Sequence, residues 1–115
     1  MSGSPLLRSS QIVRVVPIQT NGTTAVVLVP GVAGTFIYLL TLLFSNESAS
    51  NQVLLLKSGD TDIARVQIPA SGTGVLDLRG DIRTNVSDAL IMALTTADVT
   101  TVYVSGAVIQ QQHTY

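Results

Sequence analysis

The chain has 115 residues, of which 46% are hydrophobic and only 11% are charged, with a net charge of −1 and no cysteine. The length suits one domain with its own core, and ordinary soluble domains carry about 25% charged residues. These values exclude a disulfide framework and a thiolate metal site. They also disfavour nucleic acid and an anionic membrane as partners, because no basic stripe is present.

Strands separated by short turns are predicted along almost the whole chain. In chain order they cover residues 11–16, 23–29, 35–44, 52–58, 62–68, 75–78, 89–94 and 101–109. Pro17, Asn21-Gly22, Pro30-Gly31, Gly59-Asp60 and residues 69–74 supply the turns. Residues 87–94 could instead form a short helix with Ser87 as its N-cap, but Thr95-Thr96 follow, so we expect a strand.

About eight strands at this spacing predict an all-β fold. We expect a single-domain antiparallel β-sandwich of the jelly-roll type over residues 11–109. Residues 1–10 are small and polar and are expected to form a flexible N-terminal arm. Residues 110–115 form a polar C-terminal tail. No charged region followed by an apolar core marks a signal peptide at the start.

Residues 36–44 are apolar at almost every position, whereas a strand with one buried side alternates apolar and polar residues. Drawn as a regular strand, the segment places Ile37, Leu39, Thr41 and Leu43 on one side and Phe36, Tyr38, Leu40, Leu42 and Phe44 on the other. A membrane helix would need about 20 apolar residues. We therefore expect one side to face the core and the other to contact another protein chain.

A second run, at residues 53–56, is also apolar on both sides. A protein this poor in charge exposes apolar patches and tends to associate. The residues that we expect to contribute to a subunit interface or to the core are Phe36, Tyr38, Leu40, Leu42, Val53 and Leu55.

The sequence contains few residues that could act in catalysis. The only histidine is His113 in the tail, and a general base needs a fixed position. Asp60 and Asp62 offer carboxylates at a turn, but Ca²⁺ requires about 6–8 oxygen ligands. We expect no enzyme activity, no catalytic residue, no metal site and no cofactor.

Three short motifs are each explained by ordinary loop structure. Residues 79–81 spell Arg-Gly-Asp, which integrins recognise, but a polar turn is the simpler interpretation. Asn21, Asn46 and Asn85 each begin an Asn-X-Ser/Thr triplet, and we interpret them as loop residues. Gly31 and Gly34 indicate a bend between two strands.

The order of the segments resembles a known class of proteins. The segments that carry this resemblance are residues 23–30, 32–37, 53–59, 74–78, 88–94 and 102–108. This order is similar to that of small β-sandwich virion proteins of tailed bacteriophages, including capsid decoration (cement) proteins, over residues 11–109. The resemblance implies a homotrimer on the capsid surface of the virion, bound to the major capsid protein or other virion proteins. It supplies no catalytic residues.

The leading hypothesis is thus a structural virion protein that self-associates and stabilises the head. The alternative is a tail-fibre or receptor-binding module that recognises a cell-surface glycan, which would require exposed aromatic and carboxylate side chains in loops at one end. A small hydrolase is the third possibility, disfavoured by the lone histidine.

Overall fold

A computed structural model describes residues 10–77, 82–96 and 101–112. These residues form eight strands: β1 (Ser10–Gln19), β2 (Val26–Val29), β3 (Thr35–Asn46), β4 (Gln52–Ser58), β5 (Thr61–Ile68), β6 (Thr73–Asp77), β7 (Leu90–Leu94) and β8 (Val102–Gln112). The segment that could have been a helix is strand β7, as predicted. Most of the predicted arm, the Arg-Gly-Asp triplet at 79–81 and His113 lie outside the described residues. Among those that are described, no helix has the length and apolar character needed to cross a membrane.

The strands form two four-stranded antiparallel sheets. The first sheet has the order β1-β8-β3-β6 and the second sheet has the order β2-β7-β4-β5. Each sheet alternates strands from the two halves of the chain, which is the strand order of a jelly roll. The predicted antiparallel jelly-roll sandwich is therefore confirmed.

The core lies between the two sheets and takes alternate residues from each strand. In β4 the burial alternates without exception, so Leu54 and Leu56 point inward while Val53 and Leu55 point outward. The fully buried side chains are Ile37, Leu39, Leu42, Leu54, Leu56, Ile68, Leu90, Met92, Val102, Val104 and Val108. Burying each such side chain stabilises the fold by about 1.5–3 kcal/mol relative to leaving it exposed.

A β-bulge at Leu40 explains the two-sided apolar run. The pairing of β3 with β8 shifts register between Leu39 and Thr41, and one extra residue reverses which residues face the core. Leu39 points inward before the bulge, whereas Leu42 points inward after it. The predicted grouping of Leu43 with Leu39 is therefore wrong, since Leu43 is 46% exposed.

Gly106 lies opposite this bulge in β8. It pairs with Leu42 and has φ 142, a backbone conformation that favours glycine. A Cβ atom at this position would clash with the carbonyl oxygen of Thr41. The lack of a side chain at Gly106 thus lets β8 pass the bulged segment of β3.

Strands β1 and β8 extend furthest beyond their predicted bounds. Pro17 was expected to end the first strand, but β1 continues to Gln19, with a register shift against β8 between Val15 and Ile18. A proline is tolerated here because β1 is an edge strand and Pro17 lies at an irregularity, where no ladder hydrogen bond is lost. Strand β8 continues to Gln112, beyond the predicted end at residue 109.

The predicted turns follow local backbone chemistry. Gly22 has φ 60, and the amide of Thr24 donates to the carbonyl of Asn21 at 3.1 Å. Gly59, with φ 57, makes the hairpin between β4 and β5. Both turns are confirmed, because each needs a residue that adopts positive φ at little cost.

Candidate functional site

The side of the first sheet that faces away from the core carries an unusual number of exposed apolar side chains. We call this side the outer face. Ile12 and Val16 of β1 are each 68% exposed, and Val75 of β6 is 66% exposed. Further members of the outer face include Arg14, Pro17, Tyr38, Thr41, Leu43, Thr73, Asp77, Tyr103, Ser105, Ala107 and Ile109. Exposed apolar surface is typical of interaction sites, so the outer face is the candidate functional site.

Two shallow hollows join into one groove on the outer face. The first, of about 380 Å³, is lined by Pro17, Val75 and Tyr103 among others. The second, of about 440 Å³, is lined by Arg14, Val16, Thr41 and Ala107 among others. Leu43 and Ser105 line both hollows, so the groove runs from the β1 edge to the β6 edge. Its walls are mainly apolar, as in exposed patches that contact other proteins.

Apart from Arg83, which pairs with Tyr38 at one end of β3, the charges on the outer face lie at its two edges. The strand registers put Arg14 opposite Ala107, Ala107 opposite Thr41, and Thr41 opposite Asp77. These residues form one row across all four strands, with a cation at the β1 end and a carboxylate at the β6 end. The centre of the row is uncharged.

Phe36 and Tyr38 lie at one end of β3, where Arg83 covers them. The Arg83 guanidinium carbon lies 4.2 Å from the centroid of the Phe36 ring, and the Phe36 and Tyr38 ring centroids are 6.0 Å apart. A cation–π contact at a partly exposed site is worth about 0.5–1 kcal/mol. Arg83 thereby protects Phe36 from water, and Phe36 is only 8% exposed.

The outward side of the second sheet is less uniformly apolar. Val53 and Leu55 are half-buried there, with Leu55 paired between Ala93 and Arg65. Lys57 Nζ lies 3.6 Å from Asp62 Oδ1, and such exposed ion pairs contribute only about 0–1 kcal/mol. This side therefore mixes apolar and charged groups.

The six candidate residues do not form one site. Leu42 is fully buried in the core, and Phe36 is buried beneath Arg83. Tyr38 and Leu40 are half-buried in the first sheet, and Val53 and Leu55 lie on the outward side of the second sheet. Whether any of them contacts a second chain stays a prediction.

Sequence reasoning missed the most exposed apolar residues, Ile12, Val16 and Val75. Each of them stands next to an apolar residue that is buried or half-buried, namely Val13, Val15 or Leu76, and which side faces the core depends on pairing across the sheet. The only local signal was the number of apolar residues in strands that carry almost no charge.

The polar cluster at one end of the sandwich anchors a loop. Ser58 Oγ donates to Asp88 Oδ2 at 2.7 Å and accepts from the Asn85 amide at 2.8 Å. Thr84 Oγ1 accepts from the Ile37 amide at 2.9 Å. These bonds tie the segment 84–88 to β4 and β3, which satisfies buried polar groups.

The acidic residues considered for metal binding are dispersed. Asp60 and Asp62 are both exposed at the β4–β5 hairpin. Within residues 10–77, 82–96 and 101–112, no group of three or more His, Cys, Asp or Glu side chains is arranged to hold a metal ion.

No protein-family model matches the sequence, and no curated protein sequence matches it either. The fold, in contrast, is similar to that of the coat protein of Tobacco streak virus. A 2.1 Å structure of that protein (C2 crystal form) has a TM-score of 0.51 and 15% sequence identity, covering 90% of this chain and 86% of that chain. A 2.4 Å structure of the Tobacco streak virus coat protein dimer has a TM-score of 0.47 and 14% identity, covering 94% and 88%.

Proposed function

We propose that the protein is a structural component of a virion that self-associates and binds the capsid surface as a decoration (cement) protein. Its role is mechanical and not catalytic, and it stabilises the head. The observation that carries the proposal is the exposed apolar outer face of a jelly-roll domain with only 11% charged residues. A free monomer would leave this surface in water, whereas a lattice protein buries it.

The energetics of such a role depend on repetition. Buried apolar area contributes about 25 cal/mol per Å² before the cost of association is subtracted. One contact of modest area therefore gives modest affinity, but many copies on one shell act together. A small domain of this kind can strengthen a shell without any chemical step.

The two outward sides of the sandwich suit two different contacts. The outer face of the first sheet is the more apolar and suits self-association. The outward side of the second sheet combines Val53 and Leu55 with Lys57 and Arg65, which suits a partly polar contact with the major capsid protein. The trimer implied by the resemblance to bacteriophage decoration proteins stays a prediction.

The test is binding to shells purified without this protein. We expect the protein to co-sediment with the shells in a saturable way. We also expect it to raise the temperature at which the shells disrupt, which light scattering or calorimetry measures. Leu55→Glu should weaken shell binding because it places a carboxylate in the proposed contact, while Asp60→Asn at the hairpin tip serves as a control that should bind normally. Absence of binding at micromolar concentrations would refute the decoration role.

The receptor-binding alternative requires aromatic and carboxylate side chains in exposed loops. The aromatic residues that the structure describes are Phe36, Tyr38, Phe44 and Tyr103, and all of them lie in strands. Specific binding on a glycan array together with no affinity for shells would favour this alternative over the decoration role.

A further inference from the structure

The geometry points to a defined partner for the outer face: the same face of a second copy of this chain. We infer a two-fold contact in which the symmetry axis runs along the strands, near the centre line between β8 and β3. The inference rests on the self-association part of the proposed function. It adds the surface, the symmetry and the opposed residues.

The row of residues from Arg14 to Asp77 selects this symmetry. An axis along the strands reverses the row, so Arg14 of each copy lies opposite the partner's Asp77. An axis perpendicular to the strands would instead place Arg14 opposite a second Arg14. Opposite charges across an interface fix its orientation, and like charges destabilise it. The axis along the strands is therefore favoured, because it forms the Arg14–Asp77 pair twice in every dimer.

The neighbouring rows are also complementary after reversal. The strand registers align Ser105, Leu43 and Val75 in one row, and Val16 and Pro17 lie beside it at the β1 irregularity. Reversal places Val16 opposite the partner's Val75, and both side chains are about two-thirds exposed in the single chain. A second row contains Ile12, Ile109, Tyr38 and Arg83. Reversal places Ile109 opposite the partner's Tyr38 and Ile12 opposite the partner's Arg83, whose guanidinium lies over Phe36.

The outer face has the area that such a contact needs. Strands about 4.8 Å apart that rise about 3.4 Å per residue give β1, β8, β3 and β6 a flat area of about 600 Å², to which side-chain relief adds. Stable interfaces bury about 800 Å² per partner. A standard interface would therefore cover nearly the whole face, including both charged edges.

Asp77 already interacts within its own chain. An ionised carboxylate has several acceptor positions on two oxygens, so it can accept a further donor from the partner's Arg14. Arg14 is exposed on the edge strand, and its guanidinium is a planar, multivalent donor suited to carboxylates. The contact does not require Asp77 to release any interaction in the single chain.

Symmetry limits the possible assemblies. A two-fold contact alone gives a dimer, and combined with a three-fold contact elsewhere it gives a hexamer of two face-to-face trimers. An isolated trimer would contain no two-fold contact. The oligomer mass is therefore the first readout, and a dimer or hexamer by analytical ultracentrifugation is the expected result.

The decisive experiment uses Arg14→Asp and Asp77→Arg, separately, mixed and combined. Each single variant places like charges opposite each other twice per dimer, and we expect the dissociation constant to rise about tenfold or more. Mixing the two single variants should restore association, because one copy then presents two carboxylates and the other two guanidinium groups. The double variant should restore it without mixing, since each pair is reversed but still opposite in sign.

The single variants distinguish the two possible axes. With the axis perpendicular to the strands, position 14 would face position 14 of the other copy, so like charges would be opposed in the natural chain and in every variant alike. The single variants would then associate no more weakly than the natural chain. Asp60→Arg, which carries the same charge change as Asp77→Arg at the exposed β4–β5 hairpin, serves as the matched control and should leave the dissociation constant unchanged.

A second pair guards against misfolding of the Asp77→Arg variant. Val16→Glu and Val75→Lys should each weaken association and should associate with each other when mixed, because these positions are opposed across the proposed axis. A fold defect would lower the melting temperature and would not be repaired by mixing.

Three results would overturn the inference. These are a monomer at concentrations up to about 100 μM, where a useful contact would be largely occupied, an isolated trimer, or well-folded variants that show no recovery on mixing. Shell binding is measured separately on the same samples. A protein that binds shells but has no two-fold contact would retain the decoration role and lose this inference alone.

Discussion

Gly106 is the residue at which a side chain is least tolerated among those discussed above. We predict that Gly106→Ala lowers the free energy of unfolding by about 2–4 kcal/mol, because it combines backbone strain with a clash against the Thr41 carbonyl. Gly74→Ala is the matched control in the same sheet, where the new Cβ would lie 3.9 Å from Phe44 Cδ2. Denaturant unfolding measures both, and equal losses would contradict the account of the bulge.

Asn46 and Asn51 differ in what their side-chain amides do. Asn46 is buried, and its Nδ2 donates to the carbonyls of Ser50, Ile68 and Pro69 at 3.1, 3.3 and 3.0 Å. Asn51 Oδ1 instead accepts from the Ala70 amide at 2.8 Å. The triplet that begins at Asn46 therefore starts at the end of β3, with its amide inside the protein, and not in an open loop as predicted.

These two asparagines give a matched prediction. Asn46→Asp removes the donor and sets a carboxylate against three carbonyl oxygens, which should cost at least about 2 kcal/mol of stability. Asn51→Asp keeps the acceptor for Ala70 and should change stability by no more than about 0.5 kcal/mol. Thermal unfolding at neutral pH compares them. A similar loss in both would show that the Asn46 hydrogen bonds do not hold the β3 end.

Two adjacent leucines in β3 test which side chains of this strand point into the core. Leu42 is fully buried and Leu43 is 46% exposed. Leu42→Ala should cost about 2–5 kcal/mol, because it leaves a cavity between the sheets, whereas Leu43→Ala should cost less than about 1 kcal/mol. Chemical denaturation in the Arg14→Asp background, at protein concentrations below its dissociation constant, removes any contribution from association. A larger loss at Leu43 would place the bulge elsewhere.

Most strands could be predicted because their signals are local. The Asn21-Gly22 and Gly59-Asp60 turns need only residues that adopt positive φ, and the second of them ends β4 at its observed bound. The bulge at Leu40 could not be predicted, because it depends on Gly106, which is far away in the chain and adjacent only in the folded sheet. In the sequence, the bulge was visible only as apolar residues at both odd and even positions of the segment 36–44.

The same limit applies to Pro17. Proline normally breaks a ladder, and the sequence does not state that β1 lies at a sheet edge. Strand position within a sheet is a property of the complete fold. The extent of β1, and with it the exposure of Val16, could therefore be established only from the structure.

At the scale of the whole molecule, the charge deficit predicted association, and the jelly-roll sandwich followed from strand number and spacing. The surface that would associate was not identified from the sequence. The six candidate residues were chosen from two apolar runs, and the bulge at Leu40 places some residues of the first run in the core and others on the surface. Exposed residues such as Val75 belong to short strands that looked ordinary. The overall composition was thus more informative than the individual runs.

Association through an apolar face has a thermodynamic signature. We predict that the heat of dimer dissociation, measured by dilution calorimetry at several temperatures, gives an association heat capacity of about −0.25 kcal/mol per K for the proposed interface area. Ile12→Ser, at the margin of the face, should reduce its magnitude. A value near zero would indicate a contact that is mainly polar.

The irregularities in the first sheet follow one another along β8: Leu40 of β3 falls between Val108 and Ala107, Gly106 comes next, and Val16 and Pro17 of β1 lie beside Ser105. Bulges bend and twist the strands that contain them, so these positions form a crease across the sheet. A flat sheet edge or a uniformly curved surface would meet such a crease poorly. Two copies related by an axis along the strands would bring their creases to the same level, so the crease would set how closely the two faces can approach each other.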